Sequence, residues 1–135
     1  MAILDAKLKH LEIIQGVINR MASNSFVFKG WSITIIAGIT AFAAKDTNKK
    51  LIVVSMIASV LFWGVDSYYL MLERSFRNLY KKVAKKDPNK IDFLMDIEGK
   101  GFTDWARMLF RPVLIYFYGF VLVLQIMAAI LIWRQ

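Results

Sequence analysis

Three apolar stretches, each about as long as a bilayer is thick, limit what this chain can fold into more than any other feature. They are residues 25–44 "SFVFKGWSITIIAGITAFAA", 51–72 "LIVVSMIASVLFWGVDSYYLML" and 112–133 "PVLIYFYGFVLVLQIMAAILIW". A helix needs ~20 such residues to cross the hydrocarbon core. Backbone groups in lipid must bond within their own segment, so each stretch predicts a helix. The rest of the chain agrees: it is 58% hydrophobic, its mean hydropathy is +0.49 and its net charge is +8. Apolar bulk with basic flanks indicates an all-α integral membrane protein with three transmembrane helices.

The segment before the first span, "AILDAKLKHLEIIQGVINRM", places Leu4, Leu8, Leu11, Ile14, Ile18 and Met21 at helical spacing, opposite Asp5, Lys9, Glu12 and Arg20. It predicts an amphipathic helix over 1–22, with Gln15 on the apolar side, Gly16 in its interior and His10 a solvated residue. The charges scattered through it interrupt any secretory h-region, so a retained N-terminus is expected. Ser23, Asn24 and Ser25 are capping residue types and predict a break before the first span. The four parts are therefore an amphipathic helix (1–22), a transmembrane hairpin (25–72), a basic cytosolic helix with an interfacial segment (73–111) and a third transmembrane helix (112–135).

Fourteen of the eighteen lysines and arginines precede the first hairpin turn's side or lie in the loop between spans two and three. Only Lys45, Lys49, Lys50 and Arg134 fall on the other side. Lysine and arginine asymmetry sets topology, so both the N-terminus and the long loop are expected in the cytoplasm and the C-terminus outside. Trp31, Trp63, Tyr68, Tyr69 and Trp105 then form the inner aromatic belt, and Trp133 lies at the outer face.

"KDTNKK" (45–50) is a tight polar turn. Residues equidistant from its midpoint lie at equal depth in an antiparallel hairpin, which sets Lys29 beside Asp66. Intramembrane charges pair with one another or face a cavity. Lys29 and Asp66 are thus an ion pair fixing hairpin register, a lining of an ion path or subunit interface, or two groups reaching separately for the headgroups. Gly30, Thr34 and Gly38 repeat at spacing four and suit close helix approach, within the hairpin or between subunits. Gln125, alone near the middle of span three, wants a partner across a helix interface or water in a lumen.

Past span two the helical pattern continues through Leu72, Phe76, Leu79, Tyr80 and Val83 to a stop at Asp87–Pro88. This extension carries Arg74, Arg77, Lys81, Lys82, Lys85 and Lys86, a basic face for anionic lipid or an anionic ligand such as a nucleotide. Duplex nucleic acid is not expected, because no DNA-reading module is present. "TDWARMLFRP" reads as a short capped interfacial helix. "GKG" (99–101) lacks the spacing and hydroxyl of a phosphate-binding loop. The absence of cysteine, the single histidine and the lack of a nucleophile–base pair give no expectation of an enzyme, a metal or another cofactor.

The order of amphipathic helix, Ser/Asn break, "FKGW" hairpin start and "FWGVDSYYLMLERSFRNLY" resembles small bacterial membrane proteins found near nucleotide-signalling and anti-phage genes, the SLATT-type two-helix effectors being the nearest group. The resemblance covers residues 1 to about 86, so the third span lies beyond it. It implies membrane permeabilisation after a partner or signal is sensed. The expectation is a homo-oligomeric bacterial inner-membrane protein acting as a pore-forming or membrane-perturbing effector, with anti-phage defence as the implied setting. The alternative is a non-conducting anchor or accessory subunit that recruits a cytosolic partner. Polar lining discriminates them: a channel arranges Gln125, Asp66 or hydroxyl faces around a shared axis, whereas an anchor buries them between its own helices.

Overall fold

The computed structural model describes residues 2–46 and 48–134. Helix α1 runs Ala2–Lys45 and α2 Lys49–Lys85. A 3₁₀ turn, Pro88–Lys90, leads into an extended segment, 91–100, called the strap below. Helix α3 is Phe102–Leu109 and α4 is Pro112–Arg134. The described residues contain no strand. Three helices, α1, α2 and α4, are long and apolar enough to cross a membrane.

Helix lengths divide the molecule in two. At 1.5 Å per residue, α4 is ~34 Å long, close to the ~30 Å of a hydrocarbon core, whereas α1 is ~66 Å and α2 ~55 Å. The α1–α2 turn and the end of α4 meet in one cluster, Ala43, Ile52, Ala129 and Ile132. The surplus of α1 and α2 therefore projects from the opposite end, as an arm beyond a three-helix bundle. The arm has its own apolar core: Ile14, Ile18 and Val83, with Leu11, Phe76, Leu79, Tyr80 and the strap's Ile91 and Met95 against them.

The sequence predicts a break at residues 23–25, and the structure corrects this: α1 is one uninterrupted helix. Serine and asparagine cost a helix interior only about 0.5 kcal/mol each, and packing against α2 along the whole length outweighs that. The Ser25 hydroxyl caps nothing; it donates to Asp66 on α2. The amphipathic segment and the first span are consequently one continuous helix.

Side chains close the remaining ends. Asn48 caps α2, its Oδ1 accepting the Lys50 N–H at 3.0 Å. At the far end the Lys7 ammonium donates to the carbonyls of Ala84 (2.8 Å) and Lys86 (2.9 Å). It thereby satisfies orphan acceptors and opposes the negative end of the helix dipole. Helix α3 lies beside α2, held by the Trp105 indole donating to Gly64 O (2.9 Å) and the Trp63 indole donating to Leu109 O (3.1 Å). Phe102 and Phe110, near its two ends, are largely exposed.

Candidate functional site

The bundle buries a set of polar side chains beneath an apolar surface. Ser32, Ser55, Ser59, Asp66, Ser67 and Gln125 are buried, while Phe26, Trp31, Phe42, Leu61, Phe120 and Leu131 face outward. The buried groups form two layers. In the first, the Lys29 ammonium lies 2.6 Å from Asp66 Oδ2. The Tyr118 hydroxyl donates to the same oxygen at 3.2 Å, and the Ser25 hydroxyl donates to Oδ1. Lys29 also donates to Ser25 Oγ at 2.8 Å. Asp66 is wholly buried and Lys29 is 20% exposed. One carboxylate thus receives donors from α1 and α4 and joins all three helices. The Trp63 ring stacks on Tyr118, centroids 6.0 Å apart, and covers the layer.

The second layer lies seven residues away on both α2 and α4, about 10 Å along the axis. The Ser59 hydroxyl donates to Gln125 Oε1 at 2.9 Å, and the Gln125 amide donates to Ser55 Oγ. Thr40 and Ser55 share a hydroxyl–hydroxyl bond at 2.9 Å. Every buried side-chain polar atom of both layers has a partner within the chain. Gln125 also lines a groove of about 400 Å³ between α1 and α4, whose other walls are mostly alkyl groups such as Ile33, Ala37, Ala41 and Leu124.

Gly30, Thr34 and Gly38 lie elsewhere. A methyl added at either glycine meets nothing within 4 Å, and Thr34 is exposed, its hydroxyl donating to Gly30 O of its own helix at 3.1 Å. The hairpin seam uses Ser25, Ser32, Ile36 and Ala43 instead. The small-residue row therefore takes no part in packing within the hairpin and faces outward.

On the arm, the basic residues divide. Lys82 pairs with Glu98 (2.7 Å), Lys86 with Asp92 (2.6 Å) and Arg77 with Glu73 (2.8 Å). Lys86 holds the Asp92 carboxyl below the usual carboxylate range, helped by the Leu94 N–H. Arg74, Lys81 and Lys85 are exposed, with no acidic partner among the described residues. A cavity of about 460 Å³ is lined by Asn78, Lys81 and Lys82 of α2 and by the strap's Asp96 and Glu98. Its mixed signs leave no concentrated phosphate cradle.

His10, expected in water, is instead buried, its ring against Phe93 of the strap. Residues 91–100 cover that side of α1, and no periodic pattern in so short an extended segment announces it. Ser25 and Tyr118 were also hidden as site residues. The available signals were spacings: Ser25 lies one turn before Lys29, and Tyr118 two turns before Gln125. Among the described residues no acid, histidine and cysteine cluster could hold a metal ion. No known protein family, curated protein or solved structure matches this chain.

Proposed function

We propose that this protein is a multi-pass bacterial inner-membrane anchor that presents its helical arm to a cytosolic partner, rather than a pore. The observation that carries this reading is the closure of both intramembrane polar layers within one chain. Gln125 and Asp66, the groups a water path would need, are bonded across α1, α2 and α4. The basic bias of the arm end supports an arm in the cytoplasm, with the N-terminus inside and the C-terminus outside. A row of uncompensated cations, Arg74, Lys81 and Lys85, suits a partner with an acidic surface. Assembly into homo-oligomers remains compatible through the outward row of Gly30, Thr34 and Gly38.

Two experiments test this. Overproduction of the wild-type protein, with its neighbouring genes present and stimulated, is expected to leave the membrane potential unchanged, read by a potential-sensitive dye. Depolarisation that is lost in Gln125→Leu, with protein level and oligomer size unaltered, restores the effector reading. Separately, a C-terminal reporter active only in the periplasm should work; activity of a cytoplasmic reporter there inverts the topology and removes the arm from the cytosol.

A further inference from the structure

Two irregularities of the described residues meet at one contact. The ring nitrogens of His10 are the buried side-chain polar atoms left without a hydrogen-bond partner. Phe93 is the non-glycine residue held at positive φ, 53°. Their rings pack with centroids 5.2 Å apart. A bulky residue in the left-handed region persists only where surrounding contacts impose it. A buried imidazole with neither nitrogen bonded is tolerated only while it is uncharged.

The strap is held on the arm by Ile91 and Met95 in the apolar core, by the Ser75 hydroxyl donating to Gly99 O, and by the Lys86–Asp92 and Lys82–Glu98 pairs. Neither ring nitrogen of His10 has an acceptor within hydrogen-bond reach in the closed strap, and the charged groups nearby do not supply one. On α1 the charge one turn away is Lys7, itself a cation donating to the end of α2. Helix α2 presents Val83 and Tyr80, and Lys86, the residue that follows its end, is a cation. In the 3₁₀ turn, Lys90 is a cation and the Asp87 carboxylate is taken by the Asn89 amides. The strap's Asp92 is taken by Lys86 and the Leu94 N–H.

We propose that the strap is an acid-released latch: protonation of His10 expels Phe93, opens residues 91–100 and frees Lys82 and Lys86 from Glu98 and Asp92. The closed strap accommodates only the neutral ring, and the open strap lets water solvate the cation. Closure therefore holds while the buried ring is neutral and is lost when it takes up a proton. The open fraction should be several-fold larger at about pH 5.5 than at about pH 7.5, the interval over which histidine side chains gain their charge. Asp92 stays ionised over that interval, because Lys86 holds it below the usual carboxylate range. The latch does not depend on what the arm recruits.

The chain has no cysteine, so spin labels go in cleanly at Gly16→Cys on α1 and Leu94→Cys on the strap, both exposed positions. Pulsed EPR distances are measured on the full chain in nanodiscs at the two pH values. The expected result is one narrow short distance at the higher pH and a large long-distance population at the lower. His10→Phe keeps a ring against Phe93 with no proton to gain, and should hold the short distance at both; His10→Leu serves if that variant does not accumulate. An unchanged distribution in the wild-type background at the lower pH overturns the latch. Opening that persists in the His10 variants assigns the effect to the strap's acids and overturns it equally.

Discussion

The bundle and the arm share the helices α1 and α2 but differ in what those helices bury. On α1 a single face carries Ile14 and Ile18 into the arm's core, then Ser25, Ser32, Ile36 and Ala43 into the bundle. On α2 the buried row passes from Val83 through Ser75 and Met71 to Asp66, Ser59 and Ser55. The seam is continuous, but its chemistry changes along its length, as expected if one end lies in water and the other in a bilayer. In water, burial of alkyl groups drives pairing and charges stay outside. In lipid the exterior is as apolar as leucine, so hydrogen bonds and close contacts hold helices together. The same contact geometry therefore depends on Ile14 at one end and Asp66 at the other.

This contrast predicts a graded set of losses. The largest is Asp66→Ala, which leaves the Lys29 ammonium beside a buried gap; breaking one partner of a buried pair costs ~3–5 kcal/mol. Thermal denaturation in mild detergent should show the loss. The double change Lys29→Ala with Asp66→Ala should be milder than the sum of the singles; additivity within error separates the two residues energetically.

Next is Ile14→Ala in the arm, where a fully buried side chain is truncated at a cost of ~2–4 kcal/mol. Hydrogen exchange should rise in residues 76–97 while α4 keeps its protection. Equal loss of protection in α4 would mean that arm and bundle unfold as one unit.

Gln125→Leu should cost only ~1 kcal/mol, because interhelical polar contacts in membranes average about 0.6 kcal/mol. Ser55 and Ser59 also keep other partners, Thr40 and the Ser55 carbonyl. The smallest effect is expected for Lys7→Met, about 0.3–1 kcal/mol at low salt, the range for a charge at a helix terminus. It should be confined to the arm and fade as salt is added, as read by exchange at residues 83–86.

Much of this organisation was legible in the sequence, for reasons that also mark the boundary of what was not. The apolar runs are long enough to span a bilayer, which predicts their helicity, and the tight turn at 45–50 fixes antiparallel register, which sets Lys29 opposite Asp66. Pro88 and Pro112 announce the ends of α2 and the loop. Ser23–Ser25 predict a break that does not occur, because capping propensity is local, whereas the use of Ser25 is decided by Asp66, 41 residues away. Gly30 and Gly38 promised close packing, but small residues state only what a face permits. The burial of His10 depends on the strap, whose extended path follows from contacts with Ile14, Ile18 and Val83 rather than from any periodicity of its own.

The central claim is that the bundle's polar interior is sealed from water. Ser59 lies in the second polar layer, wholly buried between α2 and α4, and the chain has no cysteine of its own. Ser59→Cys in native membranes, challenged from either side with a charged, membrane-impermeant thiol reagent, tests the seal directly, with Asn48→Cys at the exposed turn as the labelled control. The prediction is rapid modification at position 48 and none at position 59, with or without stimulation of the neighbouring genes. Modification of position 59 at a rate approaching that of position 48 would contradict the sealed interior and restore an aqueous path through the bundle.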